Sequence, residues 1–218
     1  MKGLIRNNFY SVGSALKWTI AFCMVINVAV IMGAARFPSD DVFLPILILG
    51  QIGAFVGLTG TALQKDSTSK WSKYERTLPL KICNVVMARY ISFLIFSIIG
   101  ILLATITVLL FSLISAQPLN LERVGYGYSF GITFALLVPA LLYPLVLKFG
   151  ADKSEIMLII SVVITIGLFV GGSAILTPYL KHLNNVNMIY RIACIVMSVV
   201  MFICSYFISL ALYKRKEF

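Results

Sequence analysis

Side chains able to do bond chemistry are scarce in this 218-residue chain. Its one histidine, His182, stands beside Lys181, and a metalloprotease-type HExxH pair is absent. Gly171, Gly172 and Ser173 place a serine in a glycine-rich stretch, the setting of a hydrolytic nucleophile. Such a serine needs a base held beside it by another segment, and nothing in the sequence supports that pairing. No Gly-Lys dipeptide occurs, so the chain cannot cradle ATP phosphates in a P-loop. Cys23, Cys83, Cys194 and Cys204 form no CxxC pair, and three of them lie in apolar runs, which argues against a disulfide framework. The reading is of a non-enzyme with no catalytic residue, no metal site and no cofactor of its own.

The polar chemistry concentrates in one segment, Gln64 to Arg89, which opens QKDSTSKWSKYERTLPLK. Asp66, Ser67 and Ser69 are good N-caps, Ser72 and Glu75 have capping-box spacing, and Pro79 disfavours helix at Leu78. A helix of two to three turns is expected between those signals. Trp71, Tyr74 and Leu78 fall on one of its faces, with Lys70, Lys73 and Arg76 beside them. Two occupants suit that face: a partner protein, or the headgroup layer in which aromatic side chains collect at membrane surfaces. A second polar connection, Lys148 to Glu155, holds Gly150 and two acids and is another candidate contact.

The elements that position these segments follow from composition. The chain is 60% hydrophobic and 12% charged, with a mean hydropathy of +0.98. Six uncharged stretches run from Trp18 to Ala35, Val42 to Gln64, Tyr90 to Leu121, Val124 to Leu147, Ile156 to Leu180 and Ile192 to Tyr213. Each is long enough to cross a bilayer as a helix, which takes about 20 apolar residues. The expected architecture is all-α and integral to the membrane, one transmembrane domain over residues 1–218 with spans near 18–36, 42–64, 88–116, 126–147, 156–177 and 191–213. Residues 65–81 form the polar loop. A soluble enzyme, a nucleic-acid-binding domain and a disordered chain are excluded.

Charge placement gives an orientation. Of 18 Lys and Arg residues, 14 fall on one side of this arrangement; the other four are Arg36, Arg123, Lys181 and Arg191. Short cytoplasmic loops carry the basic excess, so both termini are expected in the cytoplasm, with basic faces turned toward anionic lipid. Lys2 and Arg6 followed by an apolar run ending in Gly33, Ala34 and Ala35 imitate a signal peptide. The run is longer than an h-region and further spans follow, so a retained first helix is expected. Ahead of it, Ile5, Phe9, Val12 and Leu16 share one helical face, predicting an interfacial amphipathic helix over residues 1–17; the alternative is a plain extension of the first span.

Within the spans, Gly50, Gly53, Gly57 and Gly60 recur at steps of three, four and three and form one stripe, suited to helix packing or to a dimer interface. Gly167 and Gly171 make a weaker pair. The 32-residue third run must tilt or end near Ala116 to Pro118, and Pro139 and Pro144 predict a kink in the fourth helix. Asn27, Gln51, Thr59, Thr61, Thr105 and Thr107 are the notable polar groups inside, read first as interhelical hydrogen-bonding residues. The uncharged interiors offer none of the groups that ion-coupled carriers retain. A translocation path here would lack an energy source of its own.

Six spans, an amphipathic N-terminal helix and the loop WSKYERTLPLKICNVVMARY between spans two and three resemble the ABC-2 type permeases, membrane subunits of bacterial ATP-binding cassette exporters. Within that family the chain is similar to permeases of exporters for phenol-soluble modulins, short amphipathic cytolytic peptides. The resemblance implies that Ser69, Lys70, Trp71, Lys73, Tyr74, Arg76 and Thr77 form the coupling helix that docks on a separate ATPase, with Trp71 and Tyr74 as anchors. It makes Asp152 and Lys153 part of a second, smaller contact. ATP and Mg would be bound by the ATPase subunit, and a second permease subunit, identical or paralogous, would complete a dimer in the bacterial cell membrane. The substrate implied is an amphipathic or hydrophobic molecule such as a peptide, moved outward by alternating access or cleared from the membrane in self-protection. A non-transporting membrane scaffold and an ATPase-independent carrier are the alternatives.

Overall fold

The computed structural model describes residues 2–33, 43–69, 81–114, 120–179 and 186–215. These are helical apart from single-residue junctions, with no strand among them. The helices are α1 (Lys2–Gly33), α2 (Phe43–Thr68), α3 (Ile82–Ile114), α4 (Leu121–Phe149), α5 (Ser154–Ile166), α6 (Gly172–Tyr179) and α7 (Val186–Arg215). A 3-10 turn, Ala151–Lys153, precedes α5, and a π-helical turn, Gly167–Gly171, joins α5 to α6. Among the described residues six helical stretches are long and apolar enough to cross a bilayer: Gly3–Ala29, Phe43–Asp66, Ile82–Leu113, Leu121–Phe149, Ala151–Ile175 and Asn187–Arg215.

Two helices form the centre. α4 packs against α2, α5 and α7, and α2 against α1, α3 and α4. Phe55, Phe93, Phe96, Ile48, Ile52 and Leu142 are among the largest fully buried side chains. α5 and α7 keep long apolar faces outward, Ile159, Val163, Met197, Ile203 and Phe207 among them, as helices bordering lipid do.

Three sequence expectations change at this level. The interfacial helix and the first span form one continuous helix, because Gly3 and Gly13 are accommodated without a break. Its Leu4, Asn8 and Val12 are buried, and Phe9 and Leu16 pack on the same bundle core, so this face meets neighbouring helices rather than headgroups. α2 runs through Asp66 to Thr68, so Asp66 is an interior residue of the second helix and not the cap of the next one. α4 is one continuous helix with Pro139 and Pro144 inside it, as the sequence places them. Gly167 and Gly171 bound the π turn. The third helix is described through Ile114, and the end expected near Ala116 to Pro118 lies outside the described residues.

Close approach explains specific glycines. A Cβ on Gly127 would lie 2.9 Å from Pro45 Cα, and one on Gly60 would strike the Leu158 side chain. The stripe on α2 splits into two registers seven residues apart: Gly53 and Gly60 face Phe134 and Leu158 of the same chain, whereas Gly50 and Gly57 have open space. Gly127→Ala is expected to lower stability in detergent by about 1–3 kcal/mol through overpacking, while Gly57→Ala stays within about 0.5 kcal/mol. Thermal unfolding of the two variants side by side checks the contrast.

Candidate functional site

The polar loop is framed by the end of α2 and the start of α3. Each helix brings a charge inward there because it lies in phase with the apolar stripe. On α2 the buried positions Ile52, Phe55, Val56, Thr59, Ala62 and Leu63 lead by helical steps to Asp66; on α3, Val85 and Val86 precede Arg89, and Ser92, Phe93 and Phe96 follow it. Asp66 and Arg89 are 6% and 5% exposed, and Arg89 Nη1 stands 2.5 Å from Asp66 Oδ2. The guanidinium also donates to Asn8 Oδ1 of α1 at 2.6 Å. Asn8 Nδ2 donates to Ser92 Oγ at 2.9 Å, and Ser92 donates to the Ala88 carbonyl. One charge pair thus ties three helices together. Alongside it, Lys65 Nζ reaches Ser14 Oγ at 3.4 Å.

Sequence reading placed Asp66 in the loop and counted Arg89 among the connection's basic residues, although the span expected near 88–116 already reached Arg89, because charges had been used to bound the uncharged runs. The signal that would have found them is their register on the helical stripe, which continues past the last apolar residue.

Two further polar layers lie within the bundle. Gln51 Nε2 donates to Asn27 Oδ1 at 3.1 Å and to Thr107 Oγ1 at 2.7 Å, and Thr107 is also hydrogen-bonded to Asn27. These three residues, read as interhelical hydrogen-bonding groups, do bond to one another across α1, α2 and α3. Thr105 accepts from Tyr128 of α4 at 3.1 Å, while Thr59 and Thr61 bond to carbonyls of their own helix. On the other side of α3, Tyr90 Oη lies 2.7 Å from Ser205 Oγ and 2.9 Å from Ser209 Oγ of α7, and Ser205 donates to the Ala140 carbonyl of α4 at 2.5 Å. Tyr143, Phe202 and Tyr206 set their rings edge-on around Tyr90.

Of the expected coupling residues, Ser69 is described and exposed; it closes α2, its N–H bonding to the Lys65 carbonyl at 3.0 Å. Lys70, Trp71, Lys73, Tyr74, Arg76 and Thr77 lie outside the described residues. Asp152 and Lys153 are exposed on the 3-10 turn. Their turn is tethered to the loop's other border, since Gln64 Nε2 of α2 donates to Glu155 Oε1 of α5 at 2.8 Å. The end of α2 and the start of α5 are therefore joined near the 3-10 turn. Ser173 donates to the Val170 carbonyl of its own helix, and His182 lies outside the described residues. All four cysteines are free thiols.

A family model described as ABC-2 family transporter protein matches residues 3–214. The chain belongs to the ABC-2 transporter family. It is a multi-pass membrane protein and a permease subunit of an ABC transporter, and ABC-2 permeases generally work with an ATPase partner. No curated protein and no solved structure shows significant similarity to it.

In this ABC-2 permease the Asp66 and Arg89 pair is the interaction whose loss leaves the largest uncompensated cost. Asp66→Leu, which strands Arg89, is expected to destabilise by about 3–5 kcal/mol, and the double replacement Asp66→Leu with Arg89→Leu to recover most of it. A double-mutant cycle by denaturant titration in micelles measures the coupling.

Proposed function

We propose that this permease exports an amphipathic or hydrophobic substrate, a short membrane-active peptide being the best fit, powered by a separate ATPase chain that binds ATP and Mg. The observation that carries the reading is the state of the interior polar groups. Among the described residues the charges that the bundle buries are Asp66 and Arg89, and they are committed to one another. Gln51 and Thr107 bond to each other and to Asn27 Oδ1, leaving Asn27 Nδ2 without a partner among the described residues. An ion-coupled cycle needs an intramembrane charge whose partner changes, so the energy is supplied from outside the chain.

Two permease copies and two ATPase chains would open a path alternately to either side, both termini being cytoplasmic. Coupling runs through the loop between α2 and α3. Its docking helix is Ser69 to Thr77, anchored by Trp71 and Tyr74, with Asp152 and Lys153 as the smaller contact. The Asp66 and Arg89 clamp then holds the loop's two ends at a fixed separation, so a displacement of the docking helix moves α2 and α3 together instead of prying them apart.

Affinity purification in mild detergent, with the co-purifying chains identified by mass spectrometry, tests the partner. An ATPase retained by the wild type and lost from Trp71→Ala with Tyr74→Ala is the expected result. A stable preparation without any ATPase would return the chain to a scaffold or carrier. Peptide-stimulated ATP hydrolysis in the reconstituted complex tests the substrate class, and its absence removes the peptide.

A further inference from the structure

At the end of the bundle where α2, α4 and α7 begin, a cavity of about 580 Å³ opens between their first turns and α6. This size suits a ligand headgroup with a short apolar extension. Its inner wall is apolar and aromatic, formed by Leu49, Tyr126, Phe130 and Tyr190; Arg191 and Glu122 stand among the polar residues. Sequence reading singled out none of these as a site.

The cavity is rigidly built. Phe130 stacks on Phe169 at 4.3 Å and 12°, and Phe169 belongs to the π turn. Tyr190 donates its hydroxyl proton to the Phe169 carbonyl at 2.6 Å. A Cβ on Gly172 would stand 2.8 Å from that hydroxyl, so the glycine admits the contact. π turns are uncommon, and here one sets two walls of a cavity.

Arg191 supplies the recognition chemistry. Its Nε donates to the Asn187 carbonyl at 3.2 Å and its Nη1 to the Glu122 carbonyl at 3.0 Å. Both acceptors are backbone oxygens, so the positive charge has no carboxylate partner among the described residues, and Nη2 carries no bond there. Gly125 makes room for the group, since a Cβ on it would stand 3.1 Å from Nη1. The first turn of α4, capped by the Asn120 side chain on the Arg123 N–H at 3.3 Å, adds the positive end of a helix dipole. A fixed guanidinium with unused donors over an aromatic slot recognises an oxyanion attached to an apolar body.

We propose that this cavity binds the phosphate of a bilayer phospholipid, with Arg191 on the phosphate and the upper acyl or glycerol portion along Tyr126, Phe130 and Tyr190. Depth favours a lipid. The cavity lies at the ends of membrane-length helices, level with the headgroups, where tyrosines collect. The apolar faces beside it continue toward lipid through Ile46 on α2 and Met188 and Ile192 on α7, all exposed. The bound lipid would bridge α4 and α7 and reinforce their packing at this end.

The test uses the full chain in detergent, titrated with dioleoyl phosphatidylglycerol and followed by native mass spectrometry and by the thermal midpoint. Dioleoylglycerol, which has no phosphate, and an acidic amphipathic peptide are run in parallel. The wild type is expected to retain one phosphatidylglycerol and to gain thermal stability with its concentration. Arg191→Gln is expected to weaken retention by roughly tenfold, a lost charge-assisted hydrogen bond. Should Arg191→Gln fail to fold, Ser173→Trp fills the cavity without touching the arginine and is expected to expel the lipid. Equal retention by wild type and variants overturns the proposal. So does equal retention of dioleoylglycerol, or binding of the peptide with the same Arg191 dependence where phosphatidylglycerol does not bind.

Discussion

A hydrocarbon environment offers no water to a polar side chain, so each buried donor and acceptor in this bundle must find its partner on another helix or on its own backbone. That requirement arranges the chain. Apolar contacts alone would let α1, α2 and α3 slide past one another, because lipid tails are as apolar as leucine. Arg89 with Asp66 and Asn8 fixes those helices at one level, and Gln51 with Asn27 and Thr107 fixes them at another. Tyr90, Ser205 and the Ala140 carbonyl then bind the trio to α7 and α4.

The layers differ in kind. The deeper one is built of neutral amides and a hydroxyl, each bond worth of the order of half a kcal/mol to two kcal/mol in membrane proteins. The charged one sits at the end where α1 starts and α7 finishes, at the borders of the polar loop between α2 and α3. A charge pair is expensive to bury and more expensive to break, so it pins those two helices firmly where they border the loop. Gln64 with Glu155 extends the same belt of fixation to α5. The end of α2, the start of α3 and the start of α5 are thus held together at this end of the bundle.

Much of the fold was legible in the sequence, because apolar run length is a strong signal when membrane thickness sets the unit. The six membrane-length helices came from that signal alone. Its weakness was at the borders. Treating a charge as the end of an uncharged run put Asp66 in the loop and Arg89 at its border, although their register on the buried stripe marks them as interior. The expected separation of an interfacial helix from the first span failed for a related reason: packing on α2 and α3 outweighs the modest helix penalty of a glycine such as Gly13. The cavity was illegible because its walls come from the opening turns of three separate helices and from α6. No spacing rule within one segment can bring Leu49, Tyr126, Tyr190 and Arg191 together.

The π turn carries one more consequence. An α-helix advances about 100° per residue, and a π turn takes up one residue beyond the α-helical count. The faces of α5 and α6 are therefore out of phase by about that angle, although the two helices continue as a single span. The segment from Gly167 to Gly171 thus stores a rotation in the middle of a membrane-length helix. That rotation sets which side chain beyond it meets the cavity, and the one that does is Ser173.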